Sequence, residues 1–399
     1  MARVLPAAVA GDGGTLPSAV HRLMAAVRIV AGGDVALGGV LAGLSSEDLQ
    51  ARVEGVASLF RDGDLSVVSL DCAIGTEGEP PHRDEYIVDA PAANLHLLER
   101  LGVGVVSLAN NHSTDRGRDS LARGRRDLAK LGILAAGAGA DEETAHAPVV
   151  VDCGGIRTGL LAFASTDPWV GAIAADTNRG GVAPLVAETV LAAVTDLAAQ
   201  VDAVVVCLHW GKEYIPIPPP DSVRLGRALI DAGALVVLGT HPHVAQPVES
   251  YHGGVICYSL GNLLFPSYPE QGLSFRGSGQ QSLVATIRVE SESATVESLT
   301  VVSFDEAGYL SVMAERESQG LLTELERHSS TLGTEAHAGQ WHGAVRRHEM
   351  ARLGRVLREE VLAAGWRGGT TRLLRLGRKN LLSVGRSVRE ILFAGKAGE

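Results

Sequence analysis

Six apolar runs in this chain stop abruptly at polar side chains. The stops are Asp34, Asp71, the Asn110-Asn111-His112 triplet, His209, the His241-Pro242-His243 triplet and Asn262. Asp, Asn and His combine hard oxygen donors with borderline nitrogen. That mix suits Mn, Fe or Zn better than calcium, which takes oxygen alone. Three histidines (His209, His241, His243) and two carboxylates (Asp34, Asp71) exceed what one tetrahedral site needs and suit two divalent ions sharing a carboxylate. Two ions roughly 3.5–4 Å apart can activate a water and clamp an in-line displacement. Each residue alone has an ordinary use: Asp34 and Asp71 as turn or cap residues, His209 as a core histidine. The His-Pro-His triplet directly after a buried run has few structural uses. Lys212 and Arg116 are candidate contacts to an anionic substrate, although a solvated surface position is the commoner use of such residues. The histidines at 21, 82, 96, 146, 252, 328, 337, 342 and 348 have no comparable placement and read as surface or loop residues.

The elements that must carry these stops alternate between strand and helix. A strand over 27–31 leads into Gly32-Gly33-Asp34, and a helix starts near Ser45 with Asp48 completing a capping box. LSVVSL runs to Asp71, a helix spans 91–101 with proline in its first turn, and VGVVSL (103–108) precedes the Asn-Asn-His triplet. A charged helix ends at Gly132, and strands at 147–152 and 156–164 turn at Gly154-Gly155. Helix 184–200 precedes AVVVCLHW, a helix from Asp221 to Gly233 precedes ALVVLGTHPH, and GVICYSLGN follows. Strands 282–289 and 293–302 close the body. This alternation makes the class α/β. In open α/β sheets ligands bind at the carboxyl ends of strands, so the six stops converge on one crevice. Glycines 32, 33, 211, 239 and 261 flank the stops, where a missing side chain would let backbone approach an ion or substrate closely.

Composition narrows the classes. The chain has 399 residues, 46% apolar and 20% charged, which excludes a disordered chain. A net charge of -11 disfavours nucleic acid as a partner, because an acidic surface repels phosphate. The charge is uneven: residues 340–399 carry 13 Lys/Arg against 5 Asp/Glu, leaving 22 against 41 for the rest. Cys72, Cys153, Cys207 and Cys257 lie apart in apolar runs and read as buried free thiols. The first residues are too short an apolar stretch, broken by Pro6 and Gly11, for a signal h-region, and no run suits a membrane span. The location expected from this is cytoplasmic. Thr370 to Phe393 places Leu374, Leu381, Val388 and Leu392 on one helical face with basic residues largely elsewhere. Such a helix packs on an acidic surface or lies on anionic lipid, a peripheral membrane contact through 340–399.

With these residues in view, the sequence resembles the CapA family, associated with poly-γ-glutamate capsule synthesis. The motifs that carry the resemblance are GDVALGG (33–39), SLANNHSTDRG (107–117), HWGKEY (209–214), GTHPHVAQPVE (239–249) and YSLGNLLF (258–265), in the family's order. GLLTELERHSSTLGT (320–334) is similar to the family's C-terminal helix. The resemblance implies the fold of calcineurin-like metallophosphoesterases, a four-layer αββα sandwich, over 27–335. A flexible segment would precede it (1–26), and a basic helical extension would follow (336–399). It implies Asp34, Asp71, Asn111, His209, His241 and His243 as ligands of two divalent ions (Mn, Fe or Zn). It makes His112 the catalytic group that assists the leaving or attacking group, and Glu213 and Tyr214 residues of the pocket. Asn262, the last strand stop, is a further candidate substrate contact. The arginine that often ends the first motif is Gly39 here, which removes one anion anchor.

Two functions follow. The first is a metal-dependent hydrolase acting on a phosphoester or related anionic small-molecule or polymer substrate. The second is a non-catalytic metal- or polyanion-binding accessory of a γ-glutamyl ligase. Retention of His112, which is not needed as a ligand, favours catalysis.

Overall fold

The computed structural model describes residues 3–4, 26–80, 86–167 and 170–364. The chain divides into two compact units, Met1–Ser330 and Thr331–Glu399. In the first unit the main elements are β1 (Val27–Val35), α1 (Ser46–Arg61), β2 (Leu65–Leu70), α2 (His96–Leu101), β3 (Val105–Ser107), α3 (Arg118–Lys130) and β4 (Leu134–Ala136). There follow β5 (Val149–Cys153), β6 (Ile156–Ala164), α4 (Ala187–Ala198), β7 (Ala203–His209), α5 (Pro220–Asp231), β8 (Val236–Thr240), β9 (Val248–Tyr251) and β10 (Gly254–Cys257). The unit ends with β11 (Asn262–Leu264), β12 (Gln281–Val289), β13 (Ala294–Phe304), β14 (Leu310–Val312) and α6 (Glu315–Ser329).

Two sheets form. In one the order is β14-β13-β12-β1-β2-β3-β4, with β11 paired to β1; in the other it is β5-β6-β7-β8-β10-β9, with Arg3–Val4 paired antiparallel to β5. Both centres are parallel: β1, β2, β3 and β4 in the first, β6, β7, β8 and β10 in the second. Period-two alternation decides what faces inward. Leu160, Ala162 and Ala164 of β6, Val205 and Cys207 of β7, Val236 and Leu238 of β8, and Val255 and Cys257 of β10 join one core with the first sheet. The intervening residues, such as Val204, Val206 and Ile256, are buried on the other face. There α4 packs on β6 and β7, and α5 packs on β8 and β10; α1 covers the first sheet. This is the α/β/β/α sandwich that the resemblance implies. The inward parity continues to His209 and Thr240, which are paired in register, so these two side chains point between the sheets at their carboxyl edge.

Local chemistry explains the element ends. Ser45 caps α1, with its Oγ accepting from Asp48 N–H at 3.1 Å. Pro220 opens α5 at the position where a missing N–H costs nothing. Gly154 and Gly155 both take positive φ in the β5–β6 hairpin. The expected 91–101 helix is a 3₁₀ turn over Ala92–Leu95 followed by α2. All four cysteines are free and buried.

Several expectations are corrected. β1 does not stop at Ala31; it runs through Gly32-Gly33-Asp34 to Val35, with a register shift between Ala31 and Asp34. GVICYSLGN is not one strand: its start is β10 in the second sheet and its Asn262 opens β11 in the first. The chain therefore crosses between sheets at Tyr258–Gly261. His328 and His337 are buried, not surface residues. The glycines serve chain packing. A Cβ on Gly33 would lie 1.8 Å from Gly261 O, and one on Gly239 would lie 2.0 Å from Tyr258 O. Gly33 and Gly239 allow backbone to approach backbone, and Gly32 makes room for the Leu263 and Phe60 side chains.

The second unit contains α7 (Glu335–Ala364). Its buried Glu349 pairs with Arg352 at 3.0 Å. Among the described residues no helix is long and apolar enough to cross a membrane. The amphipathic stretch 370–393, and 1–26 apart from Arg3–Val4 and Ala26, lie outside the described residues.

Candidate metal centre

The strand ends of both sheets meet where the register predicts. Asp34 lies opposite Ser69 on β2 and Asn262 on β11. Asp71 follows β2 directly, and its N–H donates to Val35 O at 2.8 Å. His241 N–H donates to Asp34 Oδ2 at 2.9 Å, which ties the second sheet's edge to the first. His209 Nδ1 lies 3.0 Å from Thr240 Oγ1 and 3.7 Å from Asp34 Oδ1, and its Nε2 lies 3.9 Å from Asp71 Oδ1. His241 Nδ1 lies 3.2 Å from His209 Nε2, and His243 Nδ1 lies 3.8 Å from Asp34 Oδ2.

Two groups of donors emerge, each with its ligand atoms within 4.8 Å of one another: Asp34, Asp71 and His209, and Glu213, His241 and His243. Asn111 joins the first, with its Oδ1 2.8 Å from His209 Nε2. His241 and His243 hold φ of 93° and 56°, left-handed values rare for such residues. The backbone is bent out of its ordinary range to aim the two rings.

The electrostatics suit cations. Asp34 Oδ1, both carboxylate oxygens of Asp71 and His241 Nε2 are buried without a hydrogen-bond partner among the described residues. Burial pushes Asp34 up to about 7, and burial together with the charge of Asp34 raises Asp71 well above the usual carboxylate range. Burial, reinforced by the other histidines, holds His209 and His241 well below the ordinary histidine value, and burial brings His243 down to about 4. The imidazoles are thus neutral and ready to donate lone pairs. The His112 cation favours the ionised carboxylates but does not outweigh their burial. Orphaned hard oxygens beside neutral nitrogens are the donor set that divalent metals complete.

His112 sits beside this cluster in a different state. Its Nδ1 lies 2.8 Å from Asp115 Oδ2, and its Nε2 lies 3.1 Å from Asn111 Nδ2. Burial alone would lower its pKa, but the charge and hydrogen bond of Asp115, helped by Asp71 and Glu213, raise it to about 9. Asp115 also accepts from Val88 N–H at 2.8 Å, so it is itself held. Sequence reading missed Asp115, although His112 and Asp115 are three residues apart in one turn. It also missed Thr240, whose contact to His209 depends on the pairing of β7 with β8. A third missed feature is the end of β6: Ser165 N–H donates to His209 O at 2.9 Å, placing Ser165 at the same edge.

Other expected residues take different places. Asn110 is a staple for the loop: its Nδ2 donates to Leu70 O at 2.8 Å, and its Oδ1 accepts from the N–H groups of His112 and Ser113. Asn262, a candidate substrate contact, is fully buried. Its Oδ1 lies 2.8 Å from His243 Nδ1 and its amide donates to Gly279 O at 2.9 Å, so it orients the imidazole. Glu213 lies with the donors, 4.0 Å from His243 Nε2. Tyr214, 39% exposed, stands at the rim with its ring 6.1 Å from His243 and 6.2 Å from Phe275. Lys212 is buried and Arg116 pairs with Asp89 at 2.7 Å, so neither is a solvated surface residue.

Comparison with known proteins places the chain in a family. A family model described as "Bacterial capsule synthesis protein PGA_cap" matches residues 28–267. The chain belongs to this family. The PGA biosynthesis protein CapA of Bacillus subtilis is 31% identical over 212 residues, 53% of this chain and 55% of the relative. The capsule biosynthesis protein CapA of Bacillus anthracis is 35% identical over 186 residues, 45% and 44% of the two chains. A probable polyglutamine synthesis accessory protein of Mycobacterium tuberculosis is 31% identical over 214 residues, 50% and 55% of the two chains. The chain spans about half the length of the curated relatives it matches. Among solved structures, a calcineurin-like phosphoesterase from Bacillus subtilis overlaps 77% of this chain and 98% of its own, at TM-score 0.35 and 11% identity. The family's matched segment contains every metal-centre residue named above.

Proposed function

We propose that this CapA-family protein is a metal-dependent hydrolase acting on a phosphoester or related anionic substrate. Asp34, Asp71, Asn111, His209, His241 and His243 would hold two divalent ions, with Glu213 at the rim. The single observation that carries the proposal is the set of orphaned carboxylate oxygens facing neutral imidazoles at the edge of both sheets. Divalent ions bound there supply Lewis-acid stabilisation of charge developing on the substrate.

The chain's own groups do the rest. His112 carries a proton at neutral pH because Asp115 holds its Nδ1 side. Its Nε2 lies 3.1 Å from Asn111 Nδ2, itself a donor, so a proton on Nε2 has no acceptor there and can pass to a departing oxygen. Thr240 fixes the ring of His209 and Asn262 fixes that of His243, so neither ligand must reorganise when substrate arrives. Tyr214 and Phe275 give the mouth beside His243 an apolar wall in a chain only 4% aromatic.

The test is metal content and turnover of the full chain with Mn²⁺ on a panel of phosphoesters and γ-glutamyl peptides, for the native protein and Asp34→Asn. Turnover that survives Asp34→Asn unchanged overturns the proposal. The name of the mycobacterial relative, a probable polyglutamine synthesis accessory protein, favours one second reading, that of an accessory protein to a γ-glutamyl ligase. That reading is supported by intact metal binding with no turnover on any member of the panel.

A further inference from the structure

A cavity of about 600 Å³ lies between α3 and β4, the edge strand of the first sheet. None of its lining residues belongs to the metal centre. One wall is a single face of α3, formed by Ala122, Arg125, Arg126 and Ala129 at helical spacing. The opposite wall includes Leu134 and Ala135 of β4. A side chain added at Gly132, another lining residue, would meet nothing within 4 Å, so the space there is open. Volume and lining match a small-molecule site: concave, mostly apolar, with a few polar groups to orient the ligand.

The arginines make it more than a dent. Arg125 Nε is buried and has no hydrogen-bond partner among the described residues. A guanidinium cannot shed its charge, so a buried, unpaired N–H is a standing cost. Nearby Asp141 does not meet it: that carboxylate accepts from Thr144 N at 2.9 Å and from Thr144 Oγ1 at 2.7 Å to cap a short helix. Burial accordingly lowers the pKa of Arg125, with Asp141 compensating only in part. Other cations of α3 are engaged: Arg123 donates to Glu77 O at 3.3 Å, and Lys130 pairs with Asp127 at 2.7 Å. Arg126 is exposed at the same face, one residue from Arg125.

We propose that this cavity is an anion-binding site, in which Arg125 and Arg126 take the carboxylate or phosphate of a small ligand whose apolar part rests on Ala122, Ala129 and Leu134. The planar guanidinium fork suits both anions, and the alanine-lined face leaves room for a compact body. Both guanidinium groups line the cavity, and the ligand's oxygens would meet the parts of Arg125 and Arg126 that face it.

The test is titration calorimetry of the full chain with inorganic phosphate in one arm and glutarate in the other. Both arms are repeated in Arg125→Gln/Arg126→Gln and in His241→Ala/His243→Ala. The expected result is saturable binding of at least one probe that persists in the histidine variant and weakens about tenfold or more in the arginine variant. The responding arm identifies the anion. No saturable binding of either probe, or equal affinity in the arginine variant, overturns the site. A second measurement needs no substitution: the saturating probe should slow phenylglyoxal modification of Arg125, read by mass spectrometry. Modification at an unchanged rate overturns the proposal as well.

Discussion

Two polar clusters flank the Trp210 backbone, and they are built on opposite plans. On one side Glu249 accepts from Arg227 Nη2 at 2.6 Å and from the Tyr258 hydroxyl at 2.6 Å, and Arg227 Nε reaches both of its oxygens. Trp210 stacks on Tyr258 at 6.3 Å and donates to its carbonyl at 2.9 Å. Each polar group in that network has an acceptor or donor. On the other side, one residue earlier at His209, the metal centre leaves carboxylate oxygens and an imidazole nitrogen unmatched. A satisfied buried network contributes to the fold; an unsatisfied one is retained because something else completes it. The difference separates scaffold from site without reference to residue type, since both clusters contain carboxylates in helix-covered sheets.

Asp34→Asn gives the largest expected effect. It should weaken metal binding by more than the roughly 100-fold typical of losing an outer-layer partner. It should also leave the melting temperature of the metal-free protein unchanged or higher, because the amide keeps an oxygen for the His241 N–H while removing a buried carboxyl whose Oδ1 has no partner among the described residues. A lower melting temperature for the metal-free variant would break the contrast. Asp115→Asn comes next, with turnover about 10²-fold lower at unchanged metal content. Asp115 favours the protonated form of His112, so its loss lowers that pKa from about 9, and the alkaline limb of kcat moves to lower pH. An unmoved limb removes His112 from the acid role.

Glu249→Ala should act the other way round. It leaves Arg227 and the Tyr258 hydroxyl without their acceptor and costs about 2 kcal/mol in urea unfolding, with metal content intact. The smallest effect is a proton count. Asp34 keeps its proton up to about pH 7, whereas the three histidines are already neutral at pH 6. Metal binding at pH 6 therefore expels carboxyl protons and no imidazole protons. Affinity rises with pH toward 7, and the protons released per metal fall as pH passes 7. Calorimetry in two buffers of different ionisation enthalpy reads this directly; release that grows with pH contradicts it.

Much of the site was legible from strand endings. His209, His241 and Asp71 each follow an apolar run, and a parallel sheet brings such endings to one edge. The capping of α1 by Ser45 and the β5–β6 turn at Gly154-Gly155 were legible too, because they depend on neighbours within four residues. Asn262 was misjudged because its role depends on a residue 19 positions away, where β10 leaves one sheet and β11 joins the other. Lys212 and His328 looked solvated because charge at a loop or helix position says nothing about what packs over it. The glycines beside the ligands were recognised, but only the approach of Gly33 to Gly261 gives their reason.

The sequence by itself determined the candidate donor residues and the strand edge that presents them, since residue type and apolar period are local properties of the chain. Only the tertiary structure decided which polar groups are answered and which are not. The pairing of Glu249 with Arg227 and Tyr258, the support of His112 by Asp115, and the isolation of Asp71 and Arg125 arise from contacts between distant segments. Hydrogen bonding is satisfied or denied by what arrives within about 3 Å, and that is set by packing.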